Sequence, residues 1–121
     1  MFTDALVTIA TINFDIVVEF YTQFLESPPQ SYIPNGYAEF SIGGVRLGIF
    51  APKSTNIAEF GQPRNSGMSL CIEVDSLERS IDSLAQLGYP PLGQITTASH
   101  GREIYAYDPD GNRLILHQNN S

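Results

Sequence analysis

With 121 residues, of which 42% are apolar and 16% charged, the chain has the length and composition of a soluble globular protein able to build a core without staples. Its net charge of −7 offers no basic patch for a phosphate backbone, so a nucleic-acid partner is not expected. The single cysteine, Cys71, excludes an intrachain disulfide and any cysteine-rich metal site. No apolar run approaches the roughly 20 residues of a membrane helix, and the N-terminus lacks a basic-then-apolar leader, so a cytoplasmic location is expected.

Ala5 to Ala10 alternates as a strand, with Val7 and Ile9 on one face and Leu6, Thr8 and Ala10 on the other. Asn13 is placed to cap the helix that follows, and Asp15 sits in its first turn. Phe14, Val17, Val18, Tyr21, Phe24 and Leu25 recur at helical spacing, and Ser27-Pro28-Pro29 ends the element. Tyr32-Ile33 reads as a short strand; Tyr37 to Ile42 and Val45 to Phe50 read as a hairpin around Gly43-Gly44. Residues 52–67 carry Pro, Gly, Ser and Asn without periodicity and read as a linker. Met68 to Val74 alternates again. Asp75 with Glu78 predicts a capping box, opening a helix that turns Leu77, Ile81, Leu84 and Leu87 inward and stops at Gly88. Leu92 to Thr96 reads as a strand and Ala98 to Arg102 as a loop. A last hairpin, Glu103 to Tyr107 and Arg113 to His117, closes on Asp108-Pro109-Asp110-Gly111-Asn112.

The order of these elements repeats. Gly-x-Arg-Leu occurs at Gly44 to Leu47 and again at Gly111 to Leu114, an offset of 67. Leu6 to Leu25 overlies Ser69 to Gly88 at an offset of 63, and Pro28-Pro29 answers Pro90-Pro91. Two copies of strand–helix–strand–strand–strand follow: a first module over about 1–51 and a second over about 68–118 of one domain. The fold class expected is α+β, built from two tandem βαβββ modules.

Glu19-Phe20-Tyr21, Val74-Asp75 and above all Tyr107 to Asn112, set in two βαβββ copies, resemble the vicinal oxygen chelate superfamily. That group contains the glyoxalase, bleomycin-resistance and extradiol dioxygenase proteins. The resemblance implies a curved mixed sheet forming a half-barrel, helices packed outside, a ligand site in the concavity, and a homodimer. It also implies metal-ligand positions at Leu6, Gly48, Ser69 and Ile115. Leucine, glycine and isoleucine cannot ligate a divalent metal and a lone serine is a poor ligand, so neither metal nor other cofactor is expected.

If those positions face the concavity, a period of two brings Thr8, Arg46, Phe50, Cys71, Glu73, Arg113 and His117 to the same side. Thr8, Phe50 and Ser69 are then candidate ligand contacts, and Tyr105, like Tyr32, Tyr37 and Tyr107, is able to stack on a planar molecule. Arg46 and Arg113 could clamp a carboxylate or phosphate, against the plainer reading of ordinary ion pairs with Glu39, Glu73 or Glu103. Glu73 and His117 are the acid–base candidates, although His117, beside a polar C-terminal stretch, reads as a solvated surface residue. His100 lies in a loop of the kind that overhangs the pocket in this superfamily, against the plainer reading of a flexible loop. Cys71, between Leu70 and Ile72 with no adjacent basic residue, reads as core. The function expected is metal-free binding or sequestering of a small organic molecule. The alternative is an enzyme of the same superfamily, a lyase or isomerase, using acid–base residues or unorthodox metal ligands.

Overall fold

The computed structural model describes residues 1–61 and 65–120, which fall into two compact units, the first spanning Met1–Gly61. In the first unit the order is β1 (Val7–Ala10), α1 (Phe14–Phe24), β2 (Ser31–Ile33), β3 (Tyr37–Ile42) and β4 (Val45–Phe50). Its sheet runs β1-β4-β3-β2, with β1 parallel to β4 and the other pairs antiparallel. The second unit repeats this with β5 (Leu70–Glu73), α2 (Leu77–Leu87), β6 (Thr96–Ala98), β7 (Gly101–Tyr107) and β8 (Arg113–Asn119), in the order β5-β8-β7-β6. Each unit is therefore a βαβββ module with a mixed four-stranded sheet, as the repeat predicts.

Alternation along the strands decides which face meets the helix. In β4, Leu47 and Ile49 are fully buried, and their neighbours Ala38 and Phe40 on β3 are buried with them. Helix α1 packs on β4 and buries Phe14, Val17, Val18, Phe20 and Tyr21. Phe20, outside the predicted stripe, packs edge-on against Tyr21 and stacks on Phe24. In the second unit Leu114 and Leu116 of β8 and Ile104 and Ala106 of β7 are buried in register, and α2 packs on both strands. Arg46 and Arg113 are equivalent in this frame. Each stands one residue before the first position that pairs with its module's first strand, Leu47 with Val7 and Leu114 with Leu70.

The helix ends depart from the predicted caps. Asn13 holds the N-cap position of α1, but its side chain makes no capping bond. Instead its own N–H donates to Thr11 Oγ1 at 2.8 Å. Helix α2 is capped by Ser76 rather than Asp75: Ser76 Oγ accepts from the Arg79 N–H at 3.2 Å. The Leu77 N–H donates to Gln118 Oε1 at 2.8 Å, tying the helix start to β8. Glu78 is consequently free of the cap and takes both nitrogens of Arg102, at 2.7 and 3.1 Å.

Two loop expectations are also corrected. The stretch read as a bare linker holds a 3-10 helix, Ser54–Phe60, none of whose residues is buried. An exposed element with three residues per turn leaves no apolar period to find; positions 62–64 of that stretch lie outside the described residues. The strand expected over Leu92 to Thr96 begins only at Thr96, and β7 starts at Gly101, within the predicted loop. Gly101 sits at φ +147°, where a side chain would run into the Gln118 carbonyl, so glycine lets the chain turn at Ser99-His100 and pair at once. The final turn is tied by buried Asp108, whose Oδ1 accepts from the N–H groups of Asp110 and Asn112, each at 2.9 Å. Its Oδ2 accepts from the Asn112 side chain at 2.8 Å. No helix among the described residues is long and apolar enough to cross a membrane.

Candidate functional site

The face of each sheet turned away from its helix carries the polar chemistry. In the first unit Thr8, Gly48 and Glu39 pair side by side across β1, β4 and β3. The Tyr37 ring lies over Gly48, where a Cβ would come within 2.6 Å of the tyrosine oxygen. That hydroxyl donates to Glu39 Oε1 at 2.7 Å, and Arg46 donates to Glu39 Oε2 at 3.3 Å and to Asp4 Oδ2 at 2.5 Å. The chain Tyr37–Glu39–Arg46–Asp4 is internally matched. Hydrogen bonding from Tyr37, then Arg46, holds the Glu39 carboxyl below its ordinary range. Burial, reinforced by Glu39, pushes the Tyr37 phenol up.

At the end of β4 a cleft of about 570 Å³ opens between the strand and the 3-10 helix. Phe50 and Phe60 meet there edge to face, with ring centres 5.5 Å apart. Lys53, Asn56 and Glu59 supply polar groups among Phe50, Ala51, Pro52 and Phe60. The strand period places Phe50 on the open face, where it lines this cleft; the residues of the 3-10 helix that line it with Phe50 carry no period, because nothing in the linker repeats.

In the second unit His117 on β8 lies opposite Glu73 of β5 and Glu103 of β7. Its Nδ1 is 2.8 Å from Glu73 Oε1, and Glu73 Oε2 accepts the Asn119 N–H at 2.7 Å. The His117 bond is the main reason the Glu73 carboxyl lies below its usual range. His100 stacks on the His117 ring, centres 5.2 Å apart and planes 12° apart. Near the start of β8, Arg113 donates to Ser69 Oγ and to the Ser66 carbonyl, each at 3.0 Å.

The family model of the Glyoxalase/Bleomycin resistance protein/Dioxygenase superfamily matches residues 5–116. The chain belongs to that superfamily. Solved superfamily-like folds align over nearly all of it. A glyoxalase-related enzyme from Fulvimarina pelagi is 19% identical with a TM-score of 0.77, covering 98% of this chain and 89% of its own. A genomically encoded fosfomycin resistance protein from Listeria monocytogenes is 16% identical with a TM-score of 0.76, covering 99% and 95%. A bleomycin-binding protein in complex with bleomycin is 22% identical with a TM-score of 0.64, covering 98% and 100%. At these identities the likeness establishes the fold. Among curated proteins, no sequence relative matches.

The residues at the positions that the resemblance assigns to metal ligands, Leu6, Gly48, Ser69 and Ile115, do not fit a divalent metal. The space a side chain at position 48 would need is taken by Tyr37, and Ser69 Oγ already accepts from Arg113. Among the described residues no group of three or more His, Cys, Asp or Glu side chains is placed to hold a metal ion.

Of the predicted contacts, the structure brings together Glu73 with His117 and Ser69 with Arg113. Arg46 is engaged by Glu39 and Asp4, the ion-pair reading rather than a free clamp. Thr8 and Tyr105 are exposed on their sheets. Two side chains lie elsewhere than expected. Cys71 is exposed rather than core, because Leu70 and Ile72 take the helix side; partial burial and the Glu103 and Glu73 carboxylates still push its thiol up. The His117 side chain is only 12% exposed rather than solvated, because Glu73, His100 and Gly101 surround it. Tyr37, Glu39 and Asp4 were not assigned as a network. The Glu39–Arg46 half of it was named as an ion pair, and the ties to Tyr37 and Asp4 were not.

Proposed function

We propose that this protein binds, and by binding sequesters, a small organic molecule without a resident transition metal. The observation that carries the reading is the cleft beside Phe50. Its volume of about 570 Å³ falls within the range of small-molecule sites, and its two aromatic walls with few polar groups suit a flat ligand. The metal-free reading is supported by the tyrosine ring over Gly48 and by apolar Leu6 and Ile115 at positions that would need donors. A bleomycin-binding protein of the same fold is the precedent for binding an organic molecule. Thr8 shares the open sheet face with Phe50, while Cys71 and Tyr105 give the second unit an open face of its own.

The chain is read as one cytoplasmic domain acting as a homodimer. The exposed apolar side chains Ile12, Ile16 and Ile33 support this, since a second copy would cover them. Native mass spectrometry of the protein purified without a metal column tests the reading. A retained organic mass that Phe60→Ala weakens is expected. Retention unchanged by Phe60→Ala, in a protein that stays folded, would contradict the cleft as its seat.

A further inference from the structure

His117 Nε2 is buried and has no hydrogen-bond partner. Buried polar atoms are almost always paired, so this one calls for a reason. The Glu73 carboxylate accepts at Nδ1, so the ring hydrogen sits on Nδ1 and Nε2 presents a bare lone pair. Gly101 keeps a side chain off that nitrogen. A Cβ at Gly101 would lie 2.9 Å from Nε2, and the residue there is glycine. The His100 ring covers the His117 face from an exposed two-residue turn, which Asn120 Nδ2 ties down at the Ser99 carbonyl, 2.8 Å away.

We propose that His117 Nε2 is the acceptor for an O–H or N–H donor on a planar small molecule, with Glu73 as positioning residue and the His100 ring as its cover. Charge narrows the class further. Glu73 and Glu103 flank His117 on either side, so a carboxylate ligand is repelled and a neutral or cationic donor is favoured. The site lies wholly in the second unit and stands whether or not the Phe50 cleft holds a ligand.

Phenol is the probe, with toluene as the donor-free control and benzoate as the anionic one. Long-range proton–nitrogen correlation on the full labelled chain reads the two His117 nitrogens separately. Phenol is expected to shift Nε2 and leave Nδ1 protonated, binding about three- to tenfold more tightly than toluene, the worth of one hydrogen bond. Benzoate leaves Nε2 unmoved. His117→Phe erases the phenol preference, and its fold is checked by circular dichroism. His100→Ala removes the cover and weakens phenol and toluene alike, so the preference between them is still read there should the acceptor variant fail to fold. Phe60→Ala leaves the Nε2 response intact, separating this site from the cleft. Equal binding of phenol and toluene in both the natural protein and His100→Ala overturns the proposal, as does a phenol preference that survives in folded His117→Phe.

Discussion

The two modules share a backbone plan and differ on their open faces. Leu47 with Ile49 and Leu114 with Leu116 do the same work under their helices, at equivalent registers. On the other face, the first module ties Tyr37, Glu39, Arg46 and Asp4 into a closed chain, whereas the second leaves the His117 Nε2 lone pair unmet. The helix side is constrained by close packing, where any lost methylene is felt. The open side is free to exchange one chemistry for another, which is how a repeat keeps its fold while dividing its labour.

The largest effects expected fall on the shared face. Leu47→Ala and Leu114→Ala each remove a fully buried side chain and should cost about 2–5 kcal/mol in urea unfolding. A much smaller loss in one of them would break the equivalence. Next comes Gly48→Ala, which drives a Cβ into the Tyr37 hydroxyl and should cost about 1–3 kcal/mol through overpacking. Adding Tyr37→Phe should recover part of that loss in a double-mutant cycle, because the nearest clashing atom is gone.

Acid sharpens the comparison at the second module's helix tie. Arg102 holds the Glu78 carboxyl down to about 2 from the usual 4.5. A carboxylate depressed in the folded state stabilises above its unfolded value, and that contribution is lost as pH falls from about 4.5 toward 2. Glu78→Gln should flatten the stability profile across that window by lowering stability at neutral pH, and leave stability near pH 2 little changed. The smallest effect is spectroscopic. Tyr37 should ionise at higher pH than an ordinary tyrosine in an ultraviolet titration, and Glu39→Gln should bring it part of the way back.

Much of the fold was legible because it rests on periods. Alternation assigned the faces of β4, β5 and β8, and Gly-x-Arg-Leu placed Arg46 and Arg113 in equivalent positions before any contact was known. What escaped depends on geometry that no period records. Asp75 and Ser76 are both competent caps, and only the path into α2 selects Ser76. His117 looked solvated because polar residues follow it in sequence, whereas its burial comes from Gly101 and His100 across the hairpin. The walls of the cleft sit on a 3-10 helix whose exposed residues carry no pattern. Of the cleft's lining, the strand residue Phe50 could be named from its period, and the residues of the 3-10 helix could not.

The proposed function is binding of an organic ligand without a metal. Elemental analysis together with native mass spectrometry, on protein never exposed to a metal column, tests it most directly. The account predicts an organic adduct with no stoichiometric zinc, iron or manganese, and an adduct that survives chelation. A stoichiometric metal whose removal by chelator releases the adduct would contradict it.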